Sequence, residues 1–225
     1  EDLRADRQPE FTQIDIEMSF IDEEIIYKEI ESLTCHVFKS VKDIDLPDSF
    51  PRLTWTEAMH QYGSDKPDTR FEIFLQDIKS ITDQSEFNAF KFVESVKAIV
   101  VPNGASFSRK IIDEYTEFVK KCNAKGLAWM KAKEGKLDGG ISKFLSDKLQ
   151  KELILSTKIN DDDIIFIIGD KESIVLNALG TLRVEVAKNM ELIDQNKYNP
   201  IWITDFPMFE FDEDSKRYLA RHHPF

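Results

Sequence analysis

The run Ile164-Ile165-Phe166-Ile167-Ile168 is apolar at every position and of strand length, which predicts a buried strand. Around it the sequence sets out a self-contained series of elements. Val96 to Val101 reads as a strand ended by Pro102-Asn103-Gly104, followed by a helix capped near Ser108 that runs to about Cys122. Leu127 to Lys131 is another short strand, and Ile141 to Leu149 and Glu152 to Thr157 read as helices. The last helix spans Ser173 to about Asn189, with Leu176, Leu179, Leu182, Val186 and Met190 along its inner side. The order β-α-β-α-α-β-α is enough for an independent α+β module, placed at residues 75–190.

The segments on either side have a different character. Residues 1–10 are charge-dense and contain Pro9, so they read as a loop. From Phe11 to Phe20 the chain alternates: Thr12, Ile14, Ile16, Met18 and Phe20 share one parity, and Phe11, Gln13, Asp15, Glu17 and Ser19 the other. This predicts a strand whose polar face carries Phe11, Gln13 and Asp15 in a row spaced roughly 6 to 7 Å apart. Such a row can bind a small zwitterion, or it can be the solvated acidic face of an edge strand. Asp22 caps a helix to about residue 41, whose Ile26, Ile30, Leu33, Val37 and Val41 are expected to pack on Ile14, Ile16 and Met18.

A connector at 45–51 leads to an extended piece at 53–55 and a helix from Thr56 to Tyr62 closed by Gly63. The loop at 63–70 is rich in turn formers, and its Ser64, Lys66 and Arg70 suit either a substrate- or RNA-facing role or a solvated connector. Ile201 to Glu210 reads as an apolar strand too aromatic for a surface edge. Asp212 to Lys216 is a polar turn without the glycine and spacing of a calcium loop, and Arg217 to His222 returns as the second strand of a hairpin. His222 and His223 are adjacent, so on a regular strand they face opposite sides and cannot share one metal.

With 225 residues, 41% of them hydrophobic and 17 Phe, the chain supports a substantial core. A net charge of −12 argues against non-specific nucleic-acid binding through overall charge, so any RNA contact needs a local basic patch. Lys120, Lys121, Lys125, Lys131, Lys133 and Lys136 form one candidate, with a solvated face as the plainer reading. Cys35 and Cys122 stand far apart, with neither zinc nor disulfide spacing, which fits reduced thiols. No apolar run approaches the ~20 residues of a membrane helix. The chain reads as soluble and intracellular, and its lack of an initiator Met reads as a piece excised from a longer protein.

Residues 1–15, Glu-Asp-Leu-Arg-Ala-Asp-Arg-Gln-Pro-Glu-Phe-Thr-Gln-Ile-Asp, resemble the second half of motif 2 of the bacterial-type aspartyl-tRNA synthetases, a class II family. So do Tyr-Gly-Ser-Asp-Lys-Pro-Asp at 62–68, Asp-Phe-Pro-Met-Phe-Glu at 205–210 and His-His-Pro-Phe at 222–225. The middle module, including residues 104–115, is similar to the insertion domain of that family. The resemblance implies an α+β fold in which part of a class II antiparallel sheet with helices is interrupted by the insertion. Residues 1–74 and 191–225 then belong to the catalytic domain, and 75–190 to the insertion domain.

It further implies an aspartate–tRNA ligase acting in the cytoplasm as a homodimer on L-aspartate, ATP and tRNA(Asp). Neither DNA nor a membrane is an implied partner. Glu1, Gln8 and Phe11 match contacts to ATP, Phe11 as the ring on adenine, a plane that an aromatic side chain stacks on readily. Gln13, Asp15 and His222 match contacts to aspartate, with Asp15 on the substrate ammonium. No catalytic or metal-ligating residue is carried over. Mg²⁺ is expected for the parent enzyme, with ligands outside this chain, and the motif 2 arginine is expected just before Glu1. Asparaginyl enzymes are disfavoured by the strand Glu-Phe-Thr-Gln-Ile-Asp, charging of the asparagine tRNA as well is left open, and an RNA-binding module without catalysis is the alternative. The purified 225-residue chain is therefore expected to show no aspartate-dependent ATP–pyrophosphate exchange, and exchange above background would refute this.

Overall fold

In the computed structural model, residue 10, residues 12–212 and residues 215–221 are described, and the chain divides into two units, 1–50 and 51–225. The first unit is built on helix α1 (Glu23–Lys42). Its start is set by Asp22, whose carboxylate accepts the Ile25 N–H at 3.0 Å, with Glu23 and Glu24 in the first turn where the dipole favours them. It ends at Asp43, in the left-handed region at φ 54°. Glu31, buried at 7% exposure, accepts the Phe50 N–H at 2.9 Å and so ties the connector back to the helix.

The alternation at 11–20 does not produce a strand among the described residues of that stretch. A strand exists only through a ladder partner, and no described strand lies alongside residues 12–20. Ile14, Ile16 and Met18 are accordingly 71%, 50% and 42% exposed. The parity was nevertheless informative: these three side chains and Ile26, Ile30 and Leu33 of α1 line one groove of about 770 Å³.

The second unit runs β1 (Arg52–Thr54), α2 (Trp55–Tyr62), β2 (Leu75–Asp77), α3 (Lys79–Thr82), β3 (Ser95–Val101), α4 (Arg109–Lys121), β4 (Ala128–Lys133) and β5 (Lys136–Asp138). It continues with α5 (Asp147–Thr157), β6 (Ile164–Asp170), α6 (Glu172–Asn189), β7 (Trp202–Thr204), β8 (Phe209–Asp212) and β9 (Arg217–Ala220). An antiparallel sheet of order β2-β3-β6-β4-β5 forms its centre. The apolar run falls on β6, between β3 and β4. Ile164, Phe166 and Ile168 enter a core with Ile112 and Val119 of α4 and Leu179 and Leu182 of α6. Ile165 and Ile167 enter a second core with Ile81 of α3 and Leu149 and Leu153 of α5. Helices cover both faces, which is why β6 has no polar parity; each such buried side chain contributes about 1.5–3 kcal/mol. The α+β class expected from the sequence is the one observed.

Several boundaries differ from expectation. The two helices expected at 141–149 and 152–157 are a 3₁₀ turn at Ser142–Phe144 followed by one helix, α5, because Ser146 accepts the Leu149 N–H and starts it there. β4 extends past Lys131 into a hairpin with β5, turned by Glu134 and Gly135 at φ 52° and 71°, the positive values a tight hairpin turn requires. The single strand expected at 201–210 is divided: Asp205 at φ 54° and Pro207 interrupt it, leaving β7 parallel to β1 and β8 paired with β9. Phe209, Phe211 and Tyr218 of this hairpin are 56%, 47% and 72% exposed, so their aromatic content does not mark burial here.

Two features fasten the 62–73 segment to α6. Gly63 caps α2 at φ 69°, and its backbone passes so close to α6 that a Cβ on Gly180 would lie 2.7 Å from the Gly63 carbonyl oxygen and 2.8 Å from that of Tyr62. Three residues on, Arg183 is 1% exposed; its Nε donates to the Ile73 carbonyl at 2.6 Å and its terminal nitrogen to that of Asp68 at 3.0 Å. The guanidinium lies 4.2 Å from the Phe71 ring centroid and 5.0 Å from that of Tyr62. Burial pushes it down to about 10, so it stays charged at neutral pH.

Gly180→Ala meets backbone rather than a movable side chain, and is expected to cost about 1–3 kcal/mol, read as a lowered urea midpoint with an unchanged slope. Asp68 is held below its ordinary 3.8 first by the side-chain bonds from Arg70, at 2.9 and 2.7 Å. A lowered folded value means that its stabilisation is complete above pH 3.8 and is lost as pH falls through the folded value. Asp68→Asn should therefore flatten the acid limb of the stability–pH curve below pH 4 or so, whereas an unaltered limb would exclude this pair as its source.

Candidate functional site

Of the six residues singled out by sequence, Glu1, Gln8, Phe11 and His222 lie outside the described residues. Gln13 and Asp15 are exposed on the segment that precedes α1. Asp15 joins Glu17 and Glu29 on the groove floored by Ile14, Ile16, Ile26 and Ile30. An apolar floor edged by carboxylates suits a ligand with a cationic end, because the apolar surroundings weaken the competition from water.

In the second unit, stretches that carry the resemblance meet at Arg221. Its N–H donates to the Met208 carbonyl at 2.9 Å, so the hairpin register places it beside the 205–210 stretch. The guanidinium bonds Glu210 at 2.6 Å, stands 3.9 Å from Asp65 of the 62–68 loop and lies 4.8 Å from the Trp55 ring centroid. Arg221 is thus flanked by two carboxylates and an indole, and fixes the chain at the residue before His222. A cleft of about 680 Å³ opens here, with Trp55, Ser64, Asp65, Ser173 and Arg221 among its walls. The buried indole N–H of Trp55 has no hydrogen-bond partner among the described residues.

Sequence reasoning did not single out Trp55 or Arg221. Trp55 begins a helix whose capping box, Thr54 with Glu57, was readable three residues apart. Arg221 could be found only from the register of the hairpin, which the turn length sets.

The lysine cluster between 120 and 136 does not form one basic face. Lys120 pairs with Glu117 at 2.7 Å, Lys125 with Asp170 at 3.5 Å, and Lys131 donates to the Phe107 carbonyl at 2.7 Å. Lys133 and Lys136 stand opposite each other in the β4–β5 register, where like charges repel. Cys35 and Cys122 are half-buried free thiols. Among the described residues, no group of three or more His, Cys, Asp or Glu is placed to hold a metal ion, and no helix is long and apolar enough to cross a membrane.

The family model of tRNA synthetases class II (D, K and N) matches residues 1–225. An aspartate–tRNA(Asp/Asn) ligase of Oleidesulfovibrio alaskensis is 50% identical over the whole of this chain and 37% of its own length. Another, from Caldanaerobacter subterraneus subsp. tengcongensis, is 48% identical over all of this chain and 39% of its own. An aspartate–tRNA ligase of Staphylococcus haemolyticus is 49% identical with the same shares, 100% and 39%. The chain therefore spans between a third and two fifths of the length of these curated relatives. With a family match that runs from its first residue to its last, the chain belongs to the class II tRNA synthetases of the D, K and N group.

Proposed function

We propose that the chain is part of an aspartate–tRNA ligase. The whole enzyme condenses L-aspartate with ATP to aspartyl-adenylate, releasing pyrophosphate, and passes the aspartyl group to the terminal ribose of tRNA(Asp). The observation that carries this reading is the match over all 225 residues, at 50% and 49% identity, to relatives named for that activity. Residues 75–190 are read as an insertion within a catalytic domain formed by 1–74 and 191–225. This boundary is supported by the central sheet and its flanking helices, which begin at Leu75 and end at Asn189. The enzyme is read as cytoplasmic and homodimeric.

Glu1, Gln8 and Phe11 are assigned to ATP, and Gln13, Asp15 and His222 to aspartate. The chemistry asked of them is modest: a ring on adenine, and an anion on the substrate ammonium. Holding the aspartate carboxylate in line with the α-phosphate then converts a bimolecular attack into an oriented one. Mg²⁺ is expected to accompany ATP in the whole enzyme, with ligands outside this chain; among the described residues no group of three or more His, Cys, Asp or Glu is placed to hold it.

In the full-length enzyme, Asp15→Asn should lower kcat/KM for aspartate about 10- to 100-fold in pyrophosphate exchange, the loss of one charge-assisted hydrogen bond. The KM for ATP should stay near that of the parent, while Phe11→Ala should raise it. An Asp15→Asn enzyme with unchanged aspartate kinetics would remove Asp15 from the substrate site.

A further inference from the structure

From its sequence the loop at 63–70 suits either a contact-making role or a solvated connector. In the structure most of its polar groups are turned inward: Asp68 chelates Arg70, the Asp68 carbonyl receives Arg183, and Ser64 Oγ accepts the Lys66 N–H at 3.0 Å. Lys66 is the exception. Its side chain is exposed and makes no ion pair among the described residues, and the same holds for Lys188 of α6 and for Lys197. Two adjoining grooves gather these three ammonium groups. One, of about 360 Å³, has Lys66 and Lys188 on its walls, with Arg183 and Gly180 between them. The other, of about 340 Å³, has Lys66, Arg70 and Lys197. Lys66, Pro67 and Asp68 border both, so the two grooves adjoin at this loop.

The charge balance along these grooves is positive. Lys66, Lys188 and Lys197 stand with Arg70 and with Arg183, whose charge is met by two carbonyls rather than by a carboxylate. Against them, Asp68 is committed to Arg70, and Glu185 accepts from Asn189 at 3.4 Å. Asp194 is near enough to raise Arg70. In a chain of net charge −12 such a cationic track stands out against the surrounding surface, and a polyanion is drawn to it rather than to the protein as a whole.

We infer that the Lys66–Lys188–Lys197 surface is a docking track for the phosphate backbone of an RNA strand. A strand is favoured over a single phosphate because the cations are spread over two adjoining grooves that meet at Lys66, with Tyr198 among the lining of the second. The floor is rigid, because the Gly63–Gly180 contact and the Arg183 bonds hold the loop on α6, so little ordering is needed on binding. Contacts to phosphate position an RNA without reading its sequence, and lysines do this as point charges. That the RNA is the tRNA charged by the enzyme rests on the function proposed above.

The test is the full-length enzyme carrying Lys66→Gln, Lys188→Gln and Lys197→Gln together, compared with the parent. Aspartate-dependent pyrophosphate exchange, which needs no RNA, should be unchanged. The KM for tRNA in aminoacylation should rise tenfold or more, and the slope of log binding constant against log salt for tRNA should fall by about 2–3. Normal exchange with an unchanged tRNA KM and salt slope would overturn the docking track. Absent exchange in the unsubstituted enzyme would instead overturn the proposed function, and the salt slope for RNA binding would still decide the track: a fall supports it, and no change overturns it.

Discussion

The buried guanidinium of Arg183 is the interaction on which the second unit's candidate site depends. It reaches from α6 to the carbonyls of Asp68 and Ile73 and is sandwiched by the rings of Phe71 and Tyr62. Burying a charge is costly unless hydrogen bonds replace its hydration, and here backbone acceptors and π faces do so without a bonded carboxylate. Those acceptors belong to a loop that would otherwise have no regular partner. One side chain therefore decides where residues 68–73 run, and the contact of Gly63 with Gly180 decides how closely they approach.

From this anchoring the site follows by short steps. The fixed loop holds Asp65 where Arg221 can reach it, and Arg221 in turn brings the end of the β8–β9 hairpin to the same place through Glu210. The same loop leaves Lys66 facing the groove shared with α6. Segments separated by some 150 residues of sequence are thereby joined, and the material between them is largely the sheet of β2 to β6 with its helices. That sheet is not closed off from what flanks it: Phe71, Ile73 and Ile193 share the core of Ile164, Phe166, Leu179 and Leu182.

What could be read from the sequence was whatever depended on local chemistry. The cap at Asp22, the Gly63 stop, the Ser108 cap and the two-faced β6 all rest on residues within a few positions of one another, and each lies where the pattern put it. What could not be read depended on partners. The alternation at 12–20 has the period of a strand but no described neighbour to pair with, and the exposed aromatics of β8 and β9 show that composition does not measure burial. Arg221 was illegible for the same reason, since its partners Asp65 and Glu210 are distant and close in sequence respectively, and only the hairpin register reveals them. The roles given to Gln13 and Asp15 came from resemblance to a family, and the structure shows only that both are exposed.

The division of labour between cations is the last consequence. Arg70, Arg183 and Arg221 are each locked by bidentate, carbonyl or stacked contacts, as suits a planar fork that loses little freedom per bond. Lys66, Lys188 and Lys197 keep their charge in solvent at the end of flexible stems. A chain of net charge −12 whose proposed substrates are all anions gains nothing from diffuse positive charge, which its own carboxylates would neutralise. It needs cations held apart from acids. Arginines that organise the loop engage its acids, and the neighbouring lysines make no ion pair among the described residues.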